Sequence, residues 1–128
     1  MTPRVLSCLD IREINNYMAE PSDLTLLRNC DYVVRMRLRQ PPDLTLDTPA
    51  DWTMVLEVRQ TAGGATVTTS HGSFALVPHA ETLGVWDFML TAQQTANLTR
   101  NTYVYAIHRT NSGYSTVFTK GQLLMESF

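Results

Sequence analysis

The sequence predicts an all-β protein, an immunoglobulin-like antiparallel β-sandwich of about seven strands with a short N-terminal helix or arm. Two observations predict this fold class. Apolar and polar residues alternate along much of the chain after residue 30, as in half-buried strands, and turn-forming segments interrupt the alternation about every eight to twelve residues. With 128 residues, 44% of them hydrophobic, the chain is long enough for one domain with its own core. We assign residues 1–23 to the arm and residues 24–128 to the sandwich domain.

The arm has a helical rather than a strand-like spacing. Ile11, Ile14 and Met18 lie three and four residues apart, which is typical of a short amphipathic helix, and Pro21 would end it. This apolar stripe either packs against its own domain or reaches a neighbouring molecule, and the spacing leaves both alternatives open. Because the arm has no place in a seven-stranded sandwich, we expect contacts with a neighbouring molecule through Leu9, Ile11, Ile14 and Met18.

Seven segments after the arm have the two-residue period of strands. They are residues 31–38, 52–60, 66–69, 73–77, 83–90, 102–109 and 114–125. The large apolar side chains on one face of the strongest strands are expected to form the core. These side chains are Tyr32, Val34, Met36, Leu38, Trp52, Met54, Leu56, Val58, Trp86, Phe88, Leu90, Tyr103, Tyr105 and Ile107.

Local signals predict the connections between these strands. Residues 41–49 are rich in proline, cannot pair regularly and should form a crossing loop. Residues 62–65 and 110–113 have the composition of tight turns, and Gly121 is expected to interrupt the seventh strand with a bulge.

A capped helical turn is predicted between the fifth and sixth strands. Thr91 and Gln94 have the spacing of a capping box, in which a hydroxyl and an amide satisfy each other's backbone N–H groups. The turn should end by Asn97, since another strand follows soon afterwards.

Three arginines, Arg35, Arg37 and Arg39, share the outward face of the first predicted strand. They form either a strip for an acidic partner or a solvated face that pairs across strands with Glu57. Of the ten basic residues only Lys120 is a lysine, and arginine is the cation that protein interfaces favour. We therefore include the three arginines in the predicted interface.

Charge and cysteine content exclude several classes of partner and site. The formal net charge of −2 argues against a nucleic-acid partner, and no apolar run is long enough to span a membrane. Cys8 and Cys30 lack metal-binding or redox spacing, and free thiols are favoured over a disulfide. His71, His79 and His108 fall in separate elements, so no metal site and no cofactor are predicted.

No catalytic residues are predicted either. Asp87 lies between two aromatic residues on a strand, should face away from the core and has no general base to work with. The strand aromatics would suit a sugar-binding platform, but their inward alternation favours core packing.

The order of segments carries a family resemblance. The segments are residues 23–29, 42–45, 52–59, 84–98, 101–107 and Lys120-Gly121, with Trp86 to Gly121 as the best part. They resemble the sandwich domain at the N-terminus of phage baseplate upper proteins and in small phage tail-region proteins. That group shares a strand, Thr-x-x-Gln-Thr-x-x-Leu, a Tyr-rich strand, a hairpin and a Lys-Gly strand. Asn101 and Ala106 depart from the group, which has Gly and often Asp there.

The resemblance implies a virion structural protein, made in the host bacterial cytoplasm, that forms part of the tail, baseplate or fibre attachment. Its partners would be other phage virion proteins and further copies of itself in the particle, as an attachment domain without a fibre. A capsid decoration or neck protein is the alternative location. A carbohydrate-binding module and an enzyme are less favoured because neither has supporting residues.

Overall fold

The structure, a computed structural model, describes residues 4–12, 23–39, 52–75, 82–110 and 116–127. For residues 4–12, 38, 39, 82, 83, 116 and 118 the description covers the backbone alone. The predicted proline-rich loop and most of the turn at residues 110–113 lie outside the described residues.

Nine strands and one short helix are present in the described residues. They are β1 (Arg4–Arg12), β2 (Leu24–Leu27), β3 (Asp31–Arg39), β4 (Met54–Arg59), β5 (Thr66–His71), β6 (Ser73–Ala75), β7 (Thr82–Leu90), α1 (Ala92–Ala96), β8 (Thr102–Arg109) and β9 (Thr116–Glu126). The first sheet has the order β1-β3-β7-β6 and the second sheet the order β2-β9-β8-β4-β5. The two sheets enclose one core, so the predicted all-β sandwich is confirmed.

The core contains the side chains that the alternation predicts. Trp86 and Leu56 are fully buried, and all other predicted core residues with described side chains are buried too. The side chain of Leu38 is not described. Additional core residues come from β2, β9 and the segment after α1: Leu24, Leu26, Leu98, Leu123 and Met125. The alternation predicts the core correctly because a shift of one residue in register would move every apolar side chain of a strand from the core to the solvent.

The described part of the N-terminal segment is β1, a strand of the first sheet, whereas the helix predicted around Ile14 and Met18 lies mostly outside the described residues. β1 pairs with β3 in parallel and aligns Leu9 with Met36 and Ile11 with Leu38. Pairing with the edge of β3 satisfies backbone N–H and C=O groups of residues 4–12, which explains why this stretch is a strand. Ile14 and Met18 lie outside the described residues.

Two further expectations about the sheets need correction. β2 also pairs in parallel, with β9, so the sandwich is antiparallel only in its other described pairs. Gly121 pairs regularly with Tyr105, and the irregularity of β9 lies between the partners of Ile107 and His108. Gly121 needs no bulge because it lies at the same two-residue spacing as the buried Thr119 and Leu123, so the strand alternation continues through it.

The predicted capping box is confirmed at α1. The Gln94 N–H donates to Thr91 Oγ1 at 3.2 Å, and the Thr91 N–H donates to Gln94 Oε1 at 2.9 Å. Asn97 is the C-cap. α1 therefore connects β7 in the first sheet to β8 in the second sheet.

The predicted turn after β4 is also present. The Gly64 N–H donates to the Thr61 carbonyl at 2.9 Å, and Gly63 between them has a φ of 76°. Glycine adopts this left-handed conformation without steric cost, which explains why the turn uses it.

Candidate protein-binding surfaces

The predicted arginine strip lies on the outer face of the first sheet, where Arg35 is paired within the domain. Its Nε donates to Asp87 Oδ1 at 2.8 Å and its Nη2 to Asp87 Oδ2 at 3.1 Å, because the two residues are directly opposed on β3 and β7. Asp87 faces outward as predicted. Pairing with Glu57 was wrong, since Glu57 lies on β4 in the other sheet.

The described parts of the predicted interface lie on two neighbouring strands of the first sheet. Leu9 and Ile11 are on β1, which is the neighbour of β3 in the first sheet, and Arg37 on β3 is half-buried. The side chain of Arg39 is not described. The register aligns Leu9 with Met36 and Ile11 with Leu38, not with the arginines, so a shared interface of both kinds of residue stays a prediction.

A second surface, which the sequence did not reveal, is a groove of about 840 Å³ on the outer face of the second sheet. Its floor is β8, where Val104 and Ala106 are small outward residues. Its walls are longer side chains from the strands on either side: Val117, Lys120 and Gln122 on β9, and Glu57 and Arg59 on β4. The sequence signal that could have predicted this groove is a strand with small outward side chains. Its neighbours in the sheet have long outward side chains.

Each wall of the groove has one acidic and one basic side chain. On the β4 wall, Glu57 Oε1 accepts a hydrogen bond from Arg59 Nε, and Glu57 Oε2 lies 3.8 Å from His108 Nε2. That nitrogen is buried and has no hydrogen-bond partner in the described part of the chain. On the β9 wall, Lys120 is exposed, and the Gln122 N–H donates to Asp23 Oδ1 at 3.1 Å.

Tyr105 lies on β8 with its ring buried beneath this groove. The pKa of Tyr105 is raised to about 12, mainly by burial; a hydrogen bond with Thr119 lowers it, and the charge of Asp23 adds to the rise. Leaving water costs a phenolate more than a neutral phenol. Tyr105 therefore stays neutral and serves the core as a hydrogen-bonded side chain.

The two tryptophans considered for a sugar platform are inside the sandwich. Trp52 and Trp86 stack with ring centroids 5.9 Å apart, and both rings are buried. The guanidinium of Arg109 lies 4.5 Å from the Trp52 ring centroid. These rings stabilise the core and are not presented to a ligand.

Cys30 is buried and forms no disulfide. Among the described residues, no three His, Cys, Asp or Glu side chains are close enough to hold a metal ion. The helix in the described ranges is not of the length and apolarity that crossing a membrane requires.

Comparison with known proteins identifies no family. No protein-family model matches the chain, and no curated protein matches it in sequence. Auracyanin A, a "blue" copper protein of Chloroflexus aurantiacus, superposes with a TM-score of 0.49 at 11% identity, over 94% of this chain and 99% of its own. The N-terminal domain of ORF48 of phage TP901-1 gives 0.48 at 8% identity, over 96% and 98%.

A third solved structure is the cysteine protease inhibitor EhICP2 of Entamoeba histolytica. It superposes with a TM-score of 0.40 at 9% identity, over 94% of this chain and 97% of its own. The three proteins differ in kind, and at these scores none of them carries an argument about function.

Proposed function

We propose that this chain is a non-catalytic structural protein of a bacteriophage particle, a component of the tail, the baseplate or the fibre attachment that docks onto other virion proteins. The observation that supports this proposal most is the way the segment Trp86 to Gly121 folds. Its described residues form the second half of β7, α1, β8 and the first half of β9, which is the order of elements on which the resemblance to phage tail-region proteins rests.

Each fixed position of the Thr-x-x-Gln-Thr-x-x-Leu motif has a contact that explains its residue type. Thr91 and Gln94 cap α1 reciprocally. Thr95 is fully buried and donates from Oγ1 to the Cys30 carbonyl at 2.9 Å. Leu98 is fully buried in the core. The motif is therefore a structural unit, and its presence supports the resemblance beyond a chance match of letters.

The same motif ties the two sheets together. Gln94 Nε2 donates to Thr68 Oγ1 at 2.8 Å and to the Thr69 carbonyl at 3.1 Å, both on β5 of the second sheet. The Ala92 N–H donates to Asp31 Oδ1 at 2.7 Å, on β3 of the first sheet. These hydrogen bonds connect α1 to both sheets, and we propose that this connection suits a protein that holds other proteins in place.

The docking surface in this proposal is the outer face of the first sheet around β3 and β7, together with the neighbouring strand β1. The Arg35 and Asp87 side chains are 42% and 38% exposed, so the pair offers both donors and acceptors to a partner. Other virion proteins are the proposed partners and the virion is the proposed location. Neither nucleic acid nor membrane is a proposed partner.

Quantitative mass spectrometry of purified particles tests the proposal. A copy number that matches the symmetry of the tail supports a tail or baseplate location, whereas hundreds of copies would place the protein on the capsid. Absence of the protein from purified particles would refute the proposal.

A substitution in the docking surface provides the second test. Arg37→Glu reverses a charge on β3, and we expect a folded protein that no longer enters particles. Arg100→Glu makes the same charge change at an exposed loop position and should enter particles normally. Equal incorporation of both variants would move the docking surface away from β3.

A further inference from the structure

We infer that the groove on the second sheet is a self-association site, which binds the same face of a second copy of this chain. The inference does not rest on the phage assignment, since it depends only on the position and charge of residues on β4, β8 and β9. A test on the purified protein therefore distinguishes it from the proposal about the virion.

The register of the sheet sets the positions of the charged residues. Ala106 on β8 is opposite Lys120 on β9 and opposite Glu57 on β4. Neighbouring strands lie about 4.8 Å apart, so the backbones of Lys120 and Glu57 flank Ala106 at about 10 Å from each other. The next outward row has the same form, with Val104 between Gln122 and Arg59.

A twofold axis along β8 makes this pattern self-complementary. When a second copy is turned over about that axis, its Ala106 meets Ala106 of the first copy, and its β4 wall lies over the first copy's β9 wall. Lys120 of each copy then faces Glu57 of the other. By symmetry each contact forms twice, as in any isologous dimer.

The adjacent row, which contains Val104, also brings opposite charges together. Asp23 lies beside Gln122 on the β9 side, because the Gln122 N–H donates to its carboxylate. The same rotation brings that carboxylate towards Arg59 of the other copy. Two adjacent rows therefore place opposite charges together, although Glu57 and Arg59 also pair with each other within one copy, and complementary charges favour the correct partner and register.

The shape of the face also suits a second sheet. Val104 and Ala106 are small and half-exposed, which permits the spacing of about 10 Å at which two sheets pack face to face. Val117, at the end of the groove, is 38% exposed, and the second copy would cover it. Burial of these apolar side chains favours association.

Other occupants fit this groove less well. Asp23 and Glu57 balance Arg59 and Lys120, so the groove lacks the excess positive charge that a nucleic acid requires. In each row the two sides of β8 instead have opposite charges, and the surface that matches them has the two sides exchanged. This chain supplies that surface itself.

Charge reversal tests the inference with analytical ultracentrifugation over a wide range of protein concentration. We expect the wild-type protein to dimerise, and Lys120→Glu to weaken dimerisation at least about tenfold because it places two carboxylates together. Glu57→Lys should weaken it similarly by opposing two ammonium groups. An equimolar mixture of the two variants should restore dimers, since every opposed pair then has opposite charges.

Controls separate association from folding. Arg100→Glu changes the charge by the same amount as Lys120→Glu outside the groove and should dimerise like the wild type. Ala106→Arg puts a large charged side chain on the axis and should abolish dimers. This variant keeps the test valid if Glu57→Lys does not fold. Circular dichroism checks that each variant keeps the wild-type structure.

Three results would overturn the inference. One is a wild-type protein that stays monomeric into the hundreds of micromolar, and another is a folded Ala106→Arg or Lys120→Glu variant that dimerises like the wild type. The third is a larger ring, which a self-complementary face does not produce. A monomer whose Lys120→Glu variant fails to enter particles would assign the groove to a different virion protein.

Discussion

The buried phenol of Tyr105 should make the stability of this domain sensitive to alkaline pH. Tyr105 is 2% exposed, and burial raises its pKa from 10.0 to about 12. An unfolded chain leaves the phenol in water with an ordinary pKa, so ionisation is easier in the unfolded state than in the folded state. Stability that depends on the neutral phenol is fully present below about pH 10 and is lost as the pH rises towards about 12.

The size of this loss follows from the shift in pKa. One unit corresponds to about 1.36 kcal/mol, so the free energy of unfolding should fall by about 1.4 kcal/mol by about pH 11. Above about pH 12 the loss approaches 3 kcal/mol. This is a substantial part of the total stability of an ordinary domain, which is about 5–15 kcal/mol.

Urea denaturation followed by tryptophan fluorescence measures the effect, with Tyr105→Phe as the control. Phenylalanine keeps the ring but cannot ionise, so this loss of stability should disappear. At neutral pH the variant should be about 1 kcal/mol less stable, because Thr119 loses its hydrogen-bond partner. If both proteins lose stability equally between about pH 9 and 11, another group is responsible and the reasoning is refuted.

Three further predictions concern the fold. Trp86→Ala removes a fully buried ring that stacks on Trp52 and lies 5.0 Å from the ring centroid of Phe74, and chemical denaturation should show a loss of about 3–5 kcal/mol. Thr91→Ala removes the N-cap of α1 and should lower the free energy of unfolding by about 1 kcal/mol. The variant should enter particles normally. A folded variant that is excluded from particles would place Thr91 in a docking surface. Deleting residues 1–12 removes β1 and exposes β3, so the melting temperature should fall, whereas an unchanged value would show that β1 is not needed for the fold.

Alternation and local capping made much of the fold predictable. The inward positions of β3, β4, β7 and β8 are determined by the need to bury one face, and the sequence shows that need directly. The capping box of Thr91 and Gln94 could also be predicted from the sequence, because its two residues are only three apart. Both kinds of feature depend on neighbours in the sequence.

The pairing of strands was harder to predict because it depends on distant residues. Arg35 is paired with Asp87, 52 residues later in the chain, and no local pattern distinguished that carboxylate from Glu57. β1 was missed because the spacing of Ile11, Ile14 and Met18 favoured a helix over the alternation that precedes it. The groove was missed because Val104 and Ala106 become a floor only when β9 and β4 lie on either side.

The position of β9 has a consequence for how the chain folds as it is made. β9 lies between β2 and β8, and β2 aligns Leu24 with Leu123, so the ribosome releases β9 after both of its partners. Until then β2 has no strand beside it, and its apolar residues depend on transient contacts or chaperones for cover. Pairings this distant in sequence also slow folding, because a long loop must close before its contacts form. We therefore expect the first sheet to assemble early, from strands complete by Leu90, and the second sheet to close in one late step when β9 inserts.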